Sequence, residues 1–142
     1  MTYLDTGCFV KLYYPEPDSA KVVGLIQGKP LCHTPLHELE FVNALQLKVF
    51  FSSATAAQVM AARALVEADL KAGVLVSPSG EWKDILAAAV KLAEQHTGTI
   101  GCRSLDIVHC AAAKVLAASE FISTDSRQKK LAAAMGLNLV TF

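Results

Sequence analysis

Apolar positions along the chain alternate between short continuous runs and longer stretches with helical spacing. Met1-Thr2-Tyr3-Leu4-Asp5-Thr6 is a short apolar run that ends in a carboxylate and a hydroxyl. A helical pattern follows at once over Thr6 to Tyr14, through Phe9, Val10, Leu12 and Tyr13. An apolar strand that begins at residue 2 reads as a buried, central strand of a parallel sheet. Pro15-Glu16-Pro17-Asp18-Ser19 stops the first helix, because proline lacks the amide donor and restricts its neighbour. Asp18 or Ser19 can cap a second helix through Val22, Val23, Leu25 and Ile26, closed by Gly28. Pro30 to His33 is a short second strand. Thr34-Pro35 then opens a helix, a cap followed by proline at the first helical position. Its predicted apolar face is Leu36, Leu39, Leu47 and Phe50, with Val42 and Val49 on the flank.

Ser52-Ser53 breaks that pattern, and Thr55 to Ala72 is a further helix ended by Gly73. Val74 to Val76 is a third strand. A helix over about Trp82 to Gln95 turns Ile85, Ala89, Leu92 and Ala93 inward. Gly98 to Gly101 is predicted as a loop, and Arg103-Ser104 opens a helix over Leu105 to Ala118. Glu120 to Thr124 is a strand that ends at Asp125. Ser126 to Met135 is helical with Gly136 as its cap, and Leu137 to Phe142 is the last strand. Strands separated by helices throughout predict a mostly parallel sheet of about five strands with right-handed crossovers. The expected unit is one α/β domain over residues 1–142.

Composition narrows the class of protein. Apolar residues are 53% of the chain, much of the excess being alanine in helical runs such as Ala111-Ala112-Ala113. No apolar stretch approaches the roughly 18 residues that span a bilayer. The first residues carry Asp5 and no basic segment, unlike a signal peptide. A soluble, cytoplasmic protein without a membrane partner is therefore expected. Thirteen basic residues balance thirteen acidic ones, so a nucleic-acid partner must be held by a local patch or by metal. The four cysteines form no C-x-x-C pair and read as reduced, buried small hydrophobes.

The carboxylates carry the candidate chemistry. Ligands of open α/β sheets gather at the carboxyl ends of the strands. Asp5 and Asp125 each end a strand there. Glu40 lies about one and a half turns into the helix that Thr34 starts, with Asn43 one turn later on the same side. Asp106 lies in the first turn behind Ser104. Each has a plain alternative: Asp5 and Asp125 as helix caps, Asp106 as a partner of the helix dipole, Glu40 as a surface glutamate. Together at one edge, four carboxylates repel and lose hydration, which a cation offsets. An all-oxygen set suits Mg²⁺ or Mn²⁺.

Tyr-Leu-Asp-Thr at 3–6, Glu-Phe-Val-Asn-Ala-Leu at 40–45, Ser-Leu-Asp-Ile-Val-His-Cys-Ala-Ala-Ala at 104–113 and Ser-Thr-Asp-Ser-Arg at 123–127 resemble the four acidic motifs of PIN-domain ribonucleases. Lys11 to Pro17 and Ala132 to Leu137 also fit the small single-domain members, largely VapC-type toxins of toxin–antitoxin pairs. The resemblance implies a three-layer α/β/α fold with a parallel sheet, one or two Mg²⁺ or Mn²⁺ ions, and endonucleolytic cleavage of RNA. It implies Asp5, Glu40, Asp106 and Asp125 as the metal-binding acids, with Thr6 and Thr124 supporting them through hydrogen bonds. It also implies a small antitoxin that inserts a basic side chain into the acidic groove, and a homodimer. Gly7 departs from the pattern, where small side chains such as Ser or Ala are commoner, and is expected to loosen the turn after Asp5. Glu38 competes with Glu40 for the second acid; Asn43-Ala44-Leu45 after Glu40 favours the latter.

Other residues invite chemistry too. His109 shares a helix side with Asp106 and reads either as a hydrogen-bonded core histidine or as a group that orients substrate. His33 and His37 suggest zinc, but Pro35 between them points to a strand-to-helix junction. Arg127, Lys129 and Lys130 follow Asp125 and serve either RNA phosphates or a solvated face. Phe50-Phe51 and the helix after them fit a dimer surface or burial within the monomer. A receiver-type signalling domain shares the alternation of elements, but it needs an acidic pair after the first strand and a lysine after a late one. A PIN-like module that binds RNA or protein without cutting is the other alternative.

Overall fold

The first strand, β1 (Thr2–Leu4), lies at the centre of a five-stranded parallel sheet in the computed structural model, which describes residues 1–142. It pairs with β2 (Leu31–Cys32) on one side and β4 (Glu120–Ile122) on the other. The outer strands are β3 (Leu75–Val76), beside β2, and β5 (Leu139–Val140), beside β4. The order is therefore β3-β2-β1-β4-β5. It differs from the 2-1-3-4-5 order of receiver-like sheets, which removes that alternative.

Successive strand residues face opposite sides, so each strand contributes to two cores. Tyr3, Cys32 and Phe121 pack on one face of the sheet, and Leu4, Leu31, Leu75 and Ile122 on the other. The second face is covered by α1 (Thr6–Tyr13), α2 (Ser19–Ile26), α3 (Pro35–Phe50) and α4 (Ala56–Ala72). The first is covered by α5 (Trp82–Leu92), the short α6 (Gly98–Ile100), α7 (Ser104–Val115) and α8 (Ser126–Ala134). Right-handed crossovers produce this division: the chain runs outward from β1 in one direction, then outward in the other. The reversal lies between β1 and β4, and the crevice at their carboxyl ends is where such sheets bind ligands. Ala111, Ala112 and Ala113 are fully buried, which lets α7 sit close to the sheet beneath that crevice. No helix is long and apolar enough to cross a membrane.

Four expectations need correction. The helix from Trp82 does not give way to a loop at Gly98; it runs on through a π-helical stretch, Ala93–Thr97, into α6, and Gly101 turns the chain with φ 73°. The last strand is two residues long, and no side chain caps α2. The largest change is the face of α3. Leu36 is buried, but Leu39, Leu47 and Phe50 are exposed, and the inward stripe is His37, Phe41 and Leu45. A histidine can occupy that stripe because its bonds are met. His37 Nε2 donates to the Leu4 carbonyl at 2.8 Å, and Nδ1 accepts from the Thr34 amide at 3.1 Å. Both ring nitrogens are thus committed to backbone groups, at the end of β1 and just after β2. The four cysteines are buried and free, and burial pushes the Cys32 and Cys110 thiols up to about 12.

Burial, with His109 nearby, lowers His37 to about 3 from 6.5. The folded ring stays neutral where the unfolded ring takes a proton, so the unfolded state binds more protons below about pH 6.5. Stability present at neutral pH is lost as pH falls through that window toward about 3. Urea unfolding should show His37 contributing a fall of roughly 2 kcal/mol between about pH 7 and pH 5. His37→Gln should remove that part of the slope; an unchanged slope in the variant would contradict the assignment.

Candidate active site

Asp5, Glu40, Asp106 and Asp125 line one groove of about 580 Å³ at the crevice between β1 and β4. Asp5 follows β1 directly and is 2% exposed. One carboxylate oxygen, Oδ1, accepts the Cys8 amide at 2.7 Å and so caps α1; Oδ2 accepts a short bond from the Ser123 hydroxyl. Asp125 repeats the arrangement after β4. Its Oδ1 accepts the Arg127 and Gln128 amides at 2.8 and 3.0 Å and caps α8. Its own amide donates to Ser123 Oγ at 3.0 Å, so one hydroxyl joins the two strand-end acids.

Glu40 is brought in by α3. Thr6 Oγ1 and His109 Nε2 each donate to its Oε2, both at 2.6 Å. His109 is anchored in turn by Tyr3, whose hydroxyl meets Nδ1 at 3.0 Å. Burial pushes the Glu40 carboxyl up, but the bonds from His109 and Thr6 outweigh it and hold the group below its ordinary value. Both bonds fall on the same oxygen, which leaves Oε1 for another partner.

Asp106 sits in the first turn of α7. Its Oδ2 accepts the Arg103 backbone amide at 3.1 Å and Nε at 2.9 Å; its Oδ1 accepts Arg103 Nη2 at 3.0 Å and Gln128 Nε2 at 3.1 Å. Burial raises this carboxyl, but the Arg103 and Gln128 bonds prevail and lower it. The same Nη2 reaches Asp125 Oδ2 at 3.0 Å.

All four predicted acids therefore meet in one groove, each with donors of its own. Glu38 does not join them: it is exposed and lines a separate small pocket with His33 and Arg63. Thr6 does support an acid, Glu40. Thr124 lines the groove but the bond to an acid is made by Ser123, one residue earlier, because that side chain points inward at 1% exposure. Asn43 lines the adjoining groove instead. Arg127, Lys129 and Lys130 do not line the acidic groove. Gly7 leaves the turn intact: Asp5 still caps α1, and an added Cβ would meet Asp5 Oδ1 at 3.5 Å, an ordinary contact.

Sequence reasoning missed Arg103, Ser123 and Gln128. Arg103 stands three residues before Asp106, a spacing that places the two side chains together on a helix start. Nothing local marks Ser123 or Gln128, whose partners lie 118 and 22 residues away.

The donor set is all oxygen, which suits a hard divalent ion. Gln128 Oε1 is buried with no donor, and Glu40, whose two bonds both fall on Oε2, lines the same groove, so the groove holds more acceptors than the protein satisfies. Asp5, Glu40, Asp106 and Asp125 are the residues that would hold such an ion. As the side chains stand, no three acids, imidazoles or thiols meet at metal-centre spacing, and Arg103 spans two of the acids.

A parallel α/β fold with an acidic groove at its topological switch point defines the class. The chain belongs to the PIN-domain family, which matches residues 2–134. Among solved structures it is similar to FitAcB from Neisseria gonorrhoeae, with a TM-score of 0.61 over 99% of this chain and 97% of that one. Identity there is 15%, so the likeness concerns the fold. No curated protein matches the chain at a significant level.

His109→Leu should leave Glu40 with Thr6 as its one remaining donor and the buried Tyr3 hydroxyl without a partner, costing about 1–3 kcal/mol for the stranded hydroxyl. His109→Gln, whose amide reaches the Nε2 position, should recover part of that loss. Denaturant unfolding of both variants checks it; equal stability of Leu and wild type would contradict the network.

Proposed function

We propose that the chain is a metal-dependent endoribonuclease that hydrolyses RNA phosphodiester bonds, residues 1–142 acting as one cytoplasmic PIN-like unit. The observation that carries this reading is the convergence of four carboxylates, from four different elements, on the crevice between β1 and β4. Membership of the PIN-domain family, whose members are generally nucleases, supports the reaction class. Asp5, Glu40, Asp106 and Asp125 are assigned as catalytic acids that bind Mg²⁺ or Mn²⁺. Such ions lower the pKa of bound water and offset the charge that builds on phosphate during in-line displacement.

The protein's own part is to aim oxygens. Ser123 and the Cys8 amide fix Asp5; Thr6 and His109 fix Glu40 by one oxygen and leave the other free. Gln128 ties α8 to Asp106. Residues held this way need no rearrangement of the backbone to meet a cation, and the cation in turn admits an anionic phosphate to an acidic groove.

We assign the protein as the toxin of a toxin–antitoxin pair. A second groove of about 620 Å³ adjoins the first and shares Thr6, Gly7, Glu40 and Leu105 with it. Leu39, Leu47 and Phe51 line it; the two leucines are those that the helix pattern assigned to the core. A small antitoxin fits this pair of grooves by laying apolar side chains on the second and reaching a basic one into the first. The exposed Phe50, Met60 and Leu65 are the apolar surface available to a homodimer.

Incubation of mixed RNA with the purified protein and Mg²⁺ or Mn²⁺ tests the nuclease. Cleavage should stop with EDTA, and Asp5→Asn should reduce it by roughly a hundredfold or more while keeping the fold, since an amide oxygen still caps α1. RNA binding without cleavage by wild type, unaffected by Asp5→Asn, would instead show a PIN-like module that binds and does not cut.

A further inference from the structure

Arg103 is the only lysine or arginine that lines the acidic groove. Its guanidinium makes a two-pronged contact with Asp106, through Nε at 2.9 Å and Nη2 at 3.0 Å, and the same Nη2 reaches Asp125 Oδ2 at 3.0 Å. One cation thus joins the first turn of α7 to the start of α8. Planar fork contacts of this kind are the strong form of an arginine–carboxylate pair. The pair also raises the Arg103 pKa, through its bonds to Asp106.

The contact is asymmetric in burial. The Arg103 side chain is 62% exposed, against 4% for Asp106 and 29% for Asp125. The guanidinium therefore reaches in from solvent and can withdraw without unpacking the core. The acids would stay where they are, because each has donors besides Arg103 side-chain groups. Asp106 keeps Gln128 Nε2 and the Arg103 amide; Asp125 keeps the Arg127 and Gln128 amides. Withdrawal would free three oxygen contacts and move no carboxylate.

We propose that Arg103 is a built-in competitor of the divalent cation: its guanidinium holds Asp106 and Asp125 as a pair and must release them before an ion can use their oxygens. The proposal rests on the metal-dependent nuclease reading and adds a regulation of that site. Arginine cannot escape by losing its proton, so exchange takes place by side-chain movement. Two cations at these oxygens repel each other, and the divalent ion prevails only above the concentration at which it displaces the fork. The latch thereby sets a metal threshold for an enzyme whose four acids already share one groove.

Mn²⁺ titration of the full chain by calorimetry, for wild type, Arg103→Gln and Arg103→Lys, tests it. Arg103→Gln should bind Mn²⁺ several-fold more tightly than wild type, with Arg103→Lys between, because a lysine keeps the charge and loses the fork. In wild type the nitrogen-15 resonance of the Arg103 Nε–H should be protected from exchange without Mg²⁺ and lose that protection as Mg²⁺ is added. Equal or weaker Mn²⁺ binding by Arg103→Gln, with wild type binding normally, would overturn the competitor and leave the nuclease reading standing. An Nε–H signal that ignores Mg²⁺ while wild type binds it would do the same without any variant. Failure of every protein to bind Mn²⁺ would overturn both.

Discussion

A carboxylate kept 2% exposed at the end of the central strand is tolerable only with donors on both oxygens. Asp5 receives them from two directions: the Cys8 amide at the start of α1 and the Ser123 hydroxyl at the end of β4. The second bond crosses the point where the sheet reverses direction. It fixes the two strand ends relative to each other, and through the Asp125 amide on the same hydroxyl it fixes the start of α8. The remaining acids depend on that frame. Glu40 is held by Thr6, the residue after Asp5, and by His109, which lies one turn beyond Asp106 on α7.

Whether these acids are helix caps or chemical groups is a choice the geometry dissolves. Asp125 caps with Oδ1 and offers Oδ2 to Arg103. Glu40 spends Oε2 on the protein and keeps Oε1. The amino-terminal ends of α1, α7 and α8 all point at the groove through Asp5, Asp106 and Asp125. Positive helix ends ease the crowding of negative charge there, which is how a protein of balanced charge sustains an acidic groove. Asp125 and Glu40 thus serve the fold with one oxygen and leave the other to the proposed chemistry.

The sequence made the frame legible because its signals are local. An apolar run followed at once by Asp-Thr and a helical pattern is readable as a central strand, and the motif around Asp125 repeats such a boundary. The partners of those acids were not legible, because they come from far along the chain. Ser123 and Thr124 look equivalent in sequence; only the side on which the chain leaves β4 decides that Ser123 turns inward. His37 has no place on the predicted apolar face of α3, yet the Leu4 carbonyl, 33 residues away, makes it a core residue. That substitution turned α3 about its axis from the predicted face and put Leu39 and Leu47 on the surface beside the acids. Arg103 had a visible spacing to Asp106, but its reach to Asp125 depends on how α7 and α8 meet.

The central claim is that this groove is built to receive a divalent cation on its four acids. Crystals grown with Mn²⁺ and measured at a wavelength where manganese scatters anomalously test it most directly. An anomalous peak is expected among Asp5, Glu40, Asp106 and Asp125, with the Arg103 side chain turned away from both of its acids. Full data with no peak in the groove, and Arg103 still on Asp106 and Asp125, would contradict it.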